Sequence, residues 1–469
     1  MRLGQISFLS FLSQILASVV GFVATVLITQ TLGSGVFGTY ALIIAVVIWV
    51  KTISIMGIKS AVTKRLSEGG DDGEYIAAGG LVLGAILIVI SVVLFALRGR
   101  LNAYVGTDAT LLIIALTWAT AVLALTMGIL DGRHLVHYSS ALNPLSIGFQ
   151  SVFQIAAVLL GIGLVGILVG YGAGALLAAL VGLAVFVKAD VKIPRWHHVR
   201  ELLSYAQFAW LSRLSNRTFT SMDTLVLGLF VSANLIGIYE VAWNLASLLA
   251  IFGTAIGQTL FPEISKISSQ REMDEVRHLL EQGLSYTGLF LIPGLVGSAA
   301  VGDLVLRVYG TEFARGQVVL VLLILSRLVY AYAKQLLTVL NGIDRPDLSF
   351  RINGAFAATN LGLNLLLVWQ FGWLGAAVAS VTSAVVALAF AYRGTAGILG
   401  DISIPVGEIG RQVVAAAVMG LVIFVPQTML PNTLPVGIGL VTLGAGVYFL
   451  LLVGISVQFR TTIVDNLPR

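Results

Sequence analysis

Long apolar runs, broken by short charged or Gly/Pro-containing stretches, recur along the whole chain. Fourteen such runs fall near residues 7–30, 36–57, 77–97, 109–130, 141–161, 164–187, 203–231, 235–258, 281–300, 314–340, 348–369, 373–396, 408–430 and 434–457. At ~1.5 Å of rise per residue, runs of about 20 residues span the ~30 Å hydrocarbon core of a bilayer as helices. They lack the period-two alternation of a membrane barrel strand and are about twice its length. The pattern predicts an all-α polytopic membrane protein with about 14 transmembrane helices. The N-terminus runs straight into a span longer than a signal-peptide core, so the first helix is expected to be retained.

Composition agrees. The chain has 469 residues, of which 58% are hydrophobic and 10% charged, and its mean hydropathy is +0.99. Soluble domains carry about 25% charged residues. There is no cysteine, which excludes disulfides, thiolate metal sites and thiol nucleophiles. The five histidines, His134, His137, His197, His198 and His278, fall in predicted loops, and no nucleic-acid partner is indicated. No G-x-x-x-x-G-K-[ST] phosphate loop occurs, so neither a nucleotide nor any other cofactor is expected. Eighteen of the 27 Lys and Arg fall on one side of the predicted spans, and four, Arg98, Arg100, Arg307 and Arg315, on the other. The positive-inside rule then puts both termini in the cytoplasm. The segment from Phe261 through Glu281 reads as a long charged cytoplasmic loop.

The chain also repeats itself. Thr31-Leu-Gly-Ser-Gly-Val-Phe-Gly38-Thr-Tyr40 is echoed by Phe230-Val-Ser-Ala-Asn-Leu-Ile-Gly237-Ile-Tyr239, so that Gly38 and Tyr40 match Gly237 and Tyr239. Leu130-Asp131-Gly132 with Asn143 matches Leu340-Asn341-Gly342 with Asn353, and Gln150 and Gln154 fall opposite Asn360 and Asn364. Residues 1–200 thus form an N-terminal lobe of six helices and 201–400 a C-terminal lobe of six. Residues 401–469 add two more helices. An even helix count makes the repeat parallel, a plan for transport by rocking of two lobes.

These features resemble the polysaccharide-transporter branch of the multidrug/oligosaccharidyl-lipid/polysaccharide flippase superfamily. The 6+6+2 plan carries the resemblance, with the Leu32-Gly…Phe37-Gly38-x-Tyr40 turn, its echo at Ile236-Gly237-x-Tyr239, and Asp223 before Leu227-Gly228. The resemblance implies translocation of a polyprenyl-linked oligosaccharide across the cytoplasmic membrane. It also implies glycosyltransferase or glycan polymerase partners, and a lipid-tail groove beside the two extra helices. Other branches export drugs or flip the peptidoglycan lipid precursor.

The charged residues inside the spans indicate where a substrate would dock. Each costs about 2.5–3.5 kcal/mol at the bilayer centre. In the 203–231 span, Arg213, Asn216, Arg217, Thr220, Asp223 and Thr224 share an arc of about 120°. Arg213 lies roughly 15 Å inside that span, too deep to snorkel. In the 314–340 span, Arg327, Tyr330 and Lys334 share one face. Lys51 is a fifth intramembrane cation, and snorkelling is an equal reading for it. The matching first-lobe positions are uncharged: Gln14, Ser18 and Ala24 stand opposite Arg213, Arg217 and Asp223. Five cations against two carboxylates, Asp223 and Glu240, favour an anionic ligand, and arginine suits phosphate through its planar fork. Arg213, Arg217, Arg327, Lys334 and Lys51 are therefore the expected phosphate contacts. Gln14, Ser18, Asn216 and Tyr330 are candidate sugar contacts. Asp223 and Glu240 serve either as ion-coupling groups or as counter-ions to an arginine. The intramembrane Gln and Asn pairs serve equally as interhelical glue.

Three functions are weighed. The first is a lipid-linked oligosaccharide flippase. A cation-coupled multidrug exporter of the same fold would instead favour an acidic cavity. A membrane-embedded polymerase or ligase is disfavoured, because no sizeable loop carries a cluster of acids, bases or metal ligands.

Overall fold

The computed structural model describes residues 3–55, 57–187, 192–217, 221–431 and 433–466. For 3–15, 185–186, 208–217, 434 and 462–466 it describes the backbone alone. Every regular element among the described residues is helical. The chain divides into two compact units, Met1–Gly237 and Ile238–Arg469. The first holds α1 (Leu3–Ile55), α2 (Ile58–Glu68), α3 (Asp72–Ala96), α4 (Arg98–Val105), α5 (Thr110–Gly132), α6 (Val136–Leu159), α7 (Gly163–Val181), α8 (Trp196–Arg217), α9 (Met222–Phe230) and the start of α10 (Ala233–Leu249). The second continues α10 and adds α11 (Ile251–Ser269), α12 (Met273–Thr287), α13 (Leu291–Arg307), α14 (Gln317–Gly342), α15 (Pro346–Phe371), α16 (Trp373–Leu399), α17 (Val406–Met429), α18 (Leu434–Ile455) and α19 (Val457–Asn466).

Among the described residues, eleven helical segments are long and apolar enough to cross a membrane, and α10 with α11, bent by 43° at their junction, makes a twelfth. One of these, α1, answers to two predicted spans. It is broken at Gly33 (φ 78°, ψ 172°), a left-handed backbone that glycine adopts without a Cβ clash. The seventh predicted span, 203–231, corresponds to α8 and α9, and residues 218–220 between them lie outside the described residues. Two expectations are corrected. Phe261–Glu281 is not a loop: α11 runs on through Pro262 to Ser269, and α12 begins at Met273. Of the histidines, His134 alone sits in a turn: His137 lies on α6, His197 and His198 on α8 and His278 on α12, and His198 is buried in the first turn of its helix.

A membrane offers little hydrophobic force between helices, so packing rests on close backbone approach at small residues. On α7, Gly166, Gly170 and Gly174 recur every four residues and face α6. A Cβ on Gly170 would lie 3.0 Å from the Gln154 backbone nitrogen, and one on Gly174 would collide with that of Gln150. Ala119 and Leu123 of α5 pack on Ala175, Ala178 and Ala179 of α7. A second cluster gathers Ile58, Val62 and Leu66 of α2, Leu83 and Leu87 of α3, Leu125 and Ile129 of α5, and Leu202 of α8. Glu201 of α8 accepts the Tyr75 hydroxyl at 2.5 Å and meets Arg65 at 3.4 Å, which ties α8 to α2 and α3. In the second unit, α14 and α16 are core helices. Asn360 and Asn364 of α15 are buried, and the Asn364 amide donates to the Asn360 carbonyl at 3.0 Å.

The repeated turns meet each other. A Cβ on Gly38 would collide with the carbonyl oxygen of Ala233, and one on Gly237 with that of Ser34. Residues 34 and 38 correspond to 233 and 237 in the repeat, so the contact is reciprocal, as across a two-fold axis. The Gly38→Ala variant should therefore lose about 1–3 kcal/mol, the range for overpacking a tight contact. Gly35→Ala should be neutral or better, since no atom lies within 4 Å of its Cβ position. Thermal unfolding of the two variants in detergent makes the comparison, and an unchanged Gly38→Ala would contradict the close approach.

Candidate functional site

A cavity of about 680 Å³ opens in the first unit. Lys51 and Thr52 near the end of α1, Lys59 and Ser60 at the start of α2, Thr120 of α5, Asn143, Ser146 and Gln150 of α6, and Tyr171 of α7 line it, with Leu123, Ala124 and Met127 among the apolar residues. Among the described residues, its lining carries two cations and no carboxylate.

Glycines bring α2 onto the end of α5. A Cβ on Gly128 would lie 2.7 Å from Lys59 Cγ, and one on Gly132 2.7 Å from the Thr63 carbonyl oxygen. The Thr63 hydroxyl donates to the Gly128 carbonyl at 2.8 Å and fixes the register. The Lys59 stem thus crosses Gly128, and its ammonium meets Asp131 at 3.3 Å. The two side chains are 31% and 29% exposed, so water reaches the pair, and a pair of this kind contributes only about 0.2–1 kcal/mol.

On α6, Asn143, Ser146 and Gln150 recur at i, i+3 and i+7 and share one face. The Gln150 amide donates to the Ser146 hydroxyl at 2.7 Å. One turn on, Gln154 is buried, donating to the Tyr40 hydroxyl at 2.8 Å and the Ile167 carbonyl at 3.3 Å. The two glutamines therefore divide the roles weighed for them. Gln150 faces the cavity and Gln154 joins helices. Tyr171 packs edge-on to Tyr40, ring centroids 6.5 Å apart.

The second unit holds two of the expected cations. The Arg327 guanidinium lies 3.9 Å from the centroid of the Trp243 ring and donates to the Ser247 hydroxyl at 2.7 Å. Lys334 donates to the Thr254 hydroxyl at 3.3 Å. Trp243, Ser247 and Thr254 thus form a strip along α10 and α11 that receives both cations of α14. Tyr330 packs instead on Phe356, centroids 5.0 Å apart. Asp223 is buried and Glu240 half-buried, and both are engaged by neighbours, as is Ser18. Gln14 lies on α1, and Arg213, Asn216 and Arg217 on α8, at positions whose own side chains fall outside the described residues.

Two further features bear on ligand chemistry. An entirely apolar groove of about 410 Å³ runs between Leu284, Ile292, Leu328, Tyr332, Leu388, Ile409 and Val413, the last two from α17. Near the start of α8, ligand atoms of Asp71, His197 and His198 lie within 4.8 Å of one another. His198 Nδ1 accepts the Arg195 backbone N–H at 3.1 Å, which leaves the proton on Nε2, facing Asp71 at 3.1 Å. Both ring nitrogens are thus in use, and this hydrogen bond holds the Asp71 carboxyl below its ordinary pKa. The arrangement suits a hydrogen-bond network better than a metal.

The polysaccharide biosynthesis protein family matches residues 3–268. The "Probable flippase AglR" of Haloferax volcanii is 33% identical over the whole of this chain and 99% of its own. The chain belongs to the polysaccharide biosynthesis protein family. The "Probable low-salt glycan biosynthesis flippase Agl15" of the same organism is 26% identical over the whole of this chain and 99% of its own. Among solved structures, "Lipid II flippase MurJ, inward closed conformation" matches with a TM-score of 0.82 and 14% identity, covering 97% of this chain and 100% of that one. At that identity the likeness shows a shared fold. The resemblance drawn from the helix plan, the Gly38 and Gly237 turns and Asp223 thus agrees with the family that matches.

In this polysaccharide biosynthesis protein, the cavity takes in one expected cation, Lys51, and adds Lys59. In the sequence Lys59 is one of the eighteen cations counted on the cytoplasmic side, and Asp131 serves only to align the repeat. The signal was the Gly128-x-x-Asp131-Gly132 spacing, which marks a helix end that another backbone can approach. For the second unit, Arg327→Lys keeps the charge but loses the planar stack on Trp243, and should cost about 0.5–2 kcal/mol. Thermal unfolding against Trp243→Ala checks this, since the double variant should cost less than the sum of the two.

Proposed function

We propose that the protein carries a polyprenyl-phosphate- or pyrophosphate-linked oligosaccharide from the cytoplasmic to the outer face of the cell membrane by alternating access. One observation carries the reading: a polar, cationic cavity large enough for sugar residues inside a bundle of membrane-length helices. Lysines in such a place are costly without an anion or water. A lysine holds phosphate as a point charge, and Lys51 is assigned that role. Asn143, Ser146 and Gln150 supply neutral hydrogen-bonding groups for hydroxyls, and Tyr171 supplies an aromatic face. The names of the two Haloferax volcanii relatives, both flippases and one of glycan biosynthesis, support the same substrate class. The all-apolar groove bordered by α17 offers a polyprenyl tail matching chemistry.

Arg213, Arg217, Arg327 and Lys334 belong to the reading as further cations met by the phosphate during the cycle. Gln14, Ser18, Asn216 and Tyr330 belong to it as sugar contacts, and Asp223 and Glu240 as coupling or counter-ion carboxylates. Both termini lie on the cytoplasmic side, where glycosyltransferases would deliver the substrate. A cationic cavity opposes export of organic cations.

The test is translocation of a labelled polyprenyl-phosphate-linked oligosaccharide in proteoliposomes. Hydrogen bonds to a charged group contribute about 1.5–3 kcal/mol, so Lys51→Gln should slow movement about 10- to 100-fold. Lys64→Gln, on the exposed Lys64–Glu68 pair outside the cavity, should leave it unchanged. Equal rates for wild type and Lys51→Gln would overturn the assignment.

A further inference from the structure

The Lys59–Asp131 pair stands behind the cavity wall in a way that the substrate reading leaves unused. Lys59 lines the cavity, whereas Asp131 does not. The ammonium is held at 3.3 Å by a carboxylate outside the lining. Its stem lies across Gly128, and the backbone beneath is fixed by Thr63. The stem is therefore anchored while the ammonium end stays accessible.

Resting on the reading of this cavity as the substrate site, we propose that Asp131 is a resident counter-ion that the substrate phosphate displaces from Lys59. Lys59 then joins Lys51 as a second phosphate ligand. Two anions competing for one ammonium repel each other, so the carboxylate lowers the anion affinity of the cavity at rest. Re-formation of the pair then helps expel the phosphate after translocation. The pair is suited to such exchange because both side chains are part-exposed and neither is locked in a buried network. The repeat supports the role. Asn341 stands in the second half where Asp131 stands in the first, so the fold itself accommodates the neutral isostere at this position.

The experiment measures binding of farnesyl phosphate to the full-length protein in lipid nanodiscs by calorimetry, and transport of the labelled glycolipid in proteoliposomes. Asp131→Asn should bind farnesyl phosphate about three- to fivefold more tightly, the upper range for releasing a part-exposed ion pair. Its transport rate at saturating substrate should fall, because release is no longer assisted. Adding Lys59→Gln to Asp131→Asn should remove the whole gain and leave binding weaker than in wild type. This double variant carries no lone charge, and so it tests the idea even where Asp131→Asn alone folds poorly. If Asp131→Asn binds no better than wild type, or the double variant binds as well as wild type, the exchange is overturned. A Lys51→Gln protein that binds farnesyl phosphate normally points instead to failure of the underlying site reading.

Discussion

In hydrocarbon, helices gain stability from one another only where their backbones come close enough for van der Waals contact and hydrogen bonding to act. In this protein such approaches are made at glycines, and the rest of the architecture follows from where those glycines sit. The row on α7 holds α6 at a distance that leaves Gln150 and Asn143 facing the cavity. The pair at the end of α5 seats α2 so that Lys59 and Asp131 meet. The repeated turn brings residues 34–38 against 233–237 in a reciprocal contact. A polar cavity can persist among apolar helices because its walls are fixed by backbone contact rather than by the side chains that line it.

Charge placement is the second theme. The strip of Trp243, Ser247 and Thr254 gives each cation of α14 a neutral partner, a ring face for Arg327 and a hydroxyl for each. The first unit solves the same problem differently. It seats Lys59 against a carboxylate outside the cavity and sets Lys51 in the lining itself. The result is a lining that, among the described residues, contributes two cations and no carboxylate, which is the chemistry an anionic amphiphile requires.

Much of this was legible in the chain. The apolar runs announced the helices, since helix length and bilayer thickness are tied. The Gly38/Tyr40 echo at Gly237/Tyr239 announced the internal repeat, and residues 34–38 and 233–237 prove to touch. The charged residues within spans marked Arg327, Lys334 and Lys51 as special. What escaped was set by tertiary approach. Lys59 and Asp131 lie 72 positions apart, and nothing local says that α2 lies on α5. Gln150 and Gln154 look alike in sequence, yet one faces a cavity and the other bridges helices, because the Tyr40 hydroxyl and the Ile167 carbonyl take up the amide of the second. The charged stretch at 261–281 misled because helices in a membrane protein need not stop where their apolar segment ends.

The most direct measurement is site-specific photocrosslinking. A benzophenone side chain at Tyr171, in the cavity, is compared with one at Val92 on α3, which is 64% exposed on an apolar surface. Both proteins are reconstituted with a radiolabelled polyprenyl-phosphate-linked oligosaccharide and irradiated. The account expects label at position 171, released by excess unlabelled glycolipid but not by an organic cation, and only background at 92. Equal labelling at the two positions, or label at 171 that an organic cation displaces and the glycolipid does not, would contradict it.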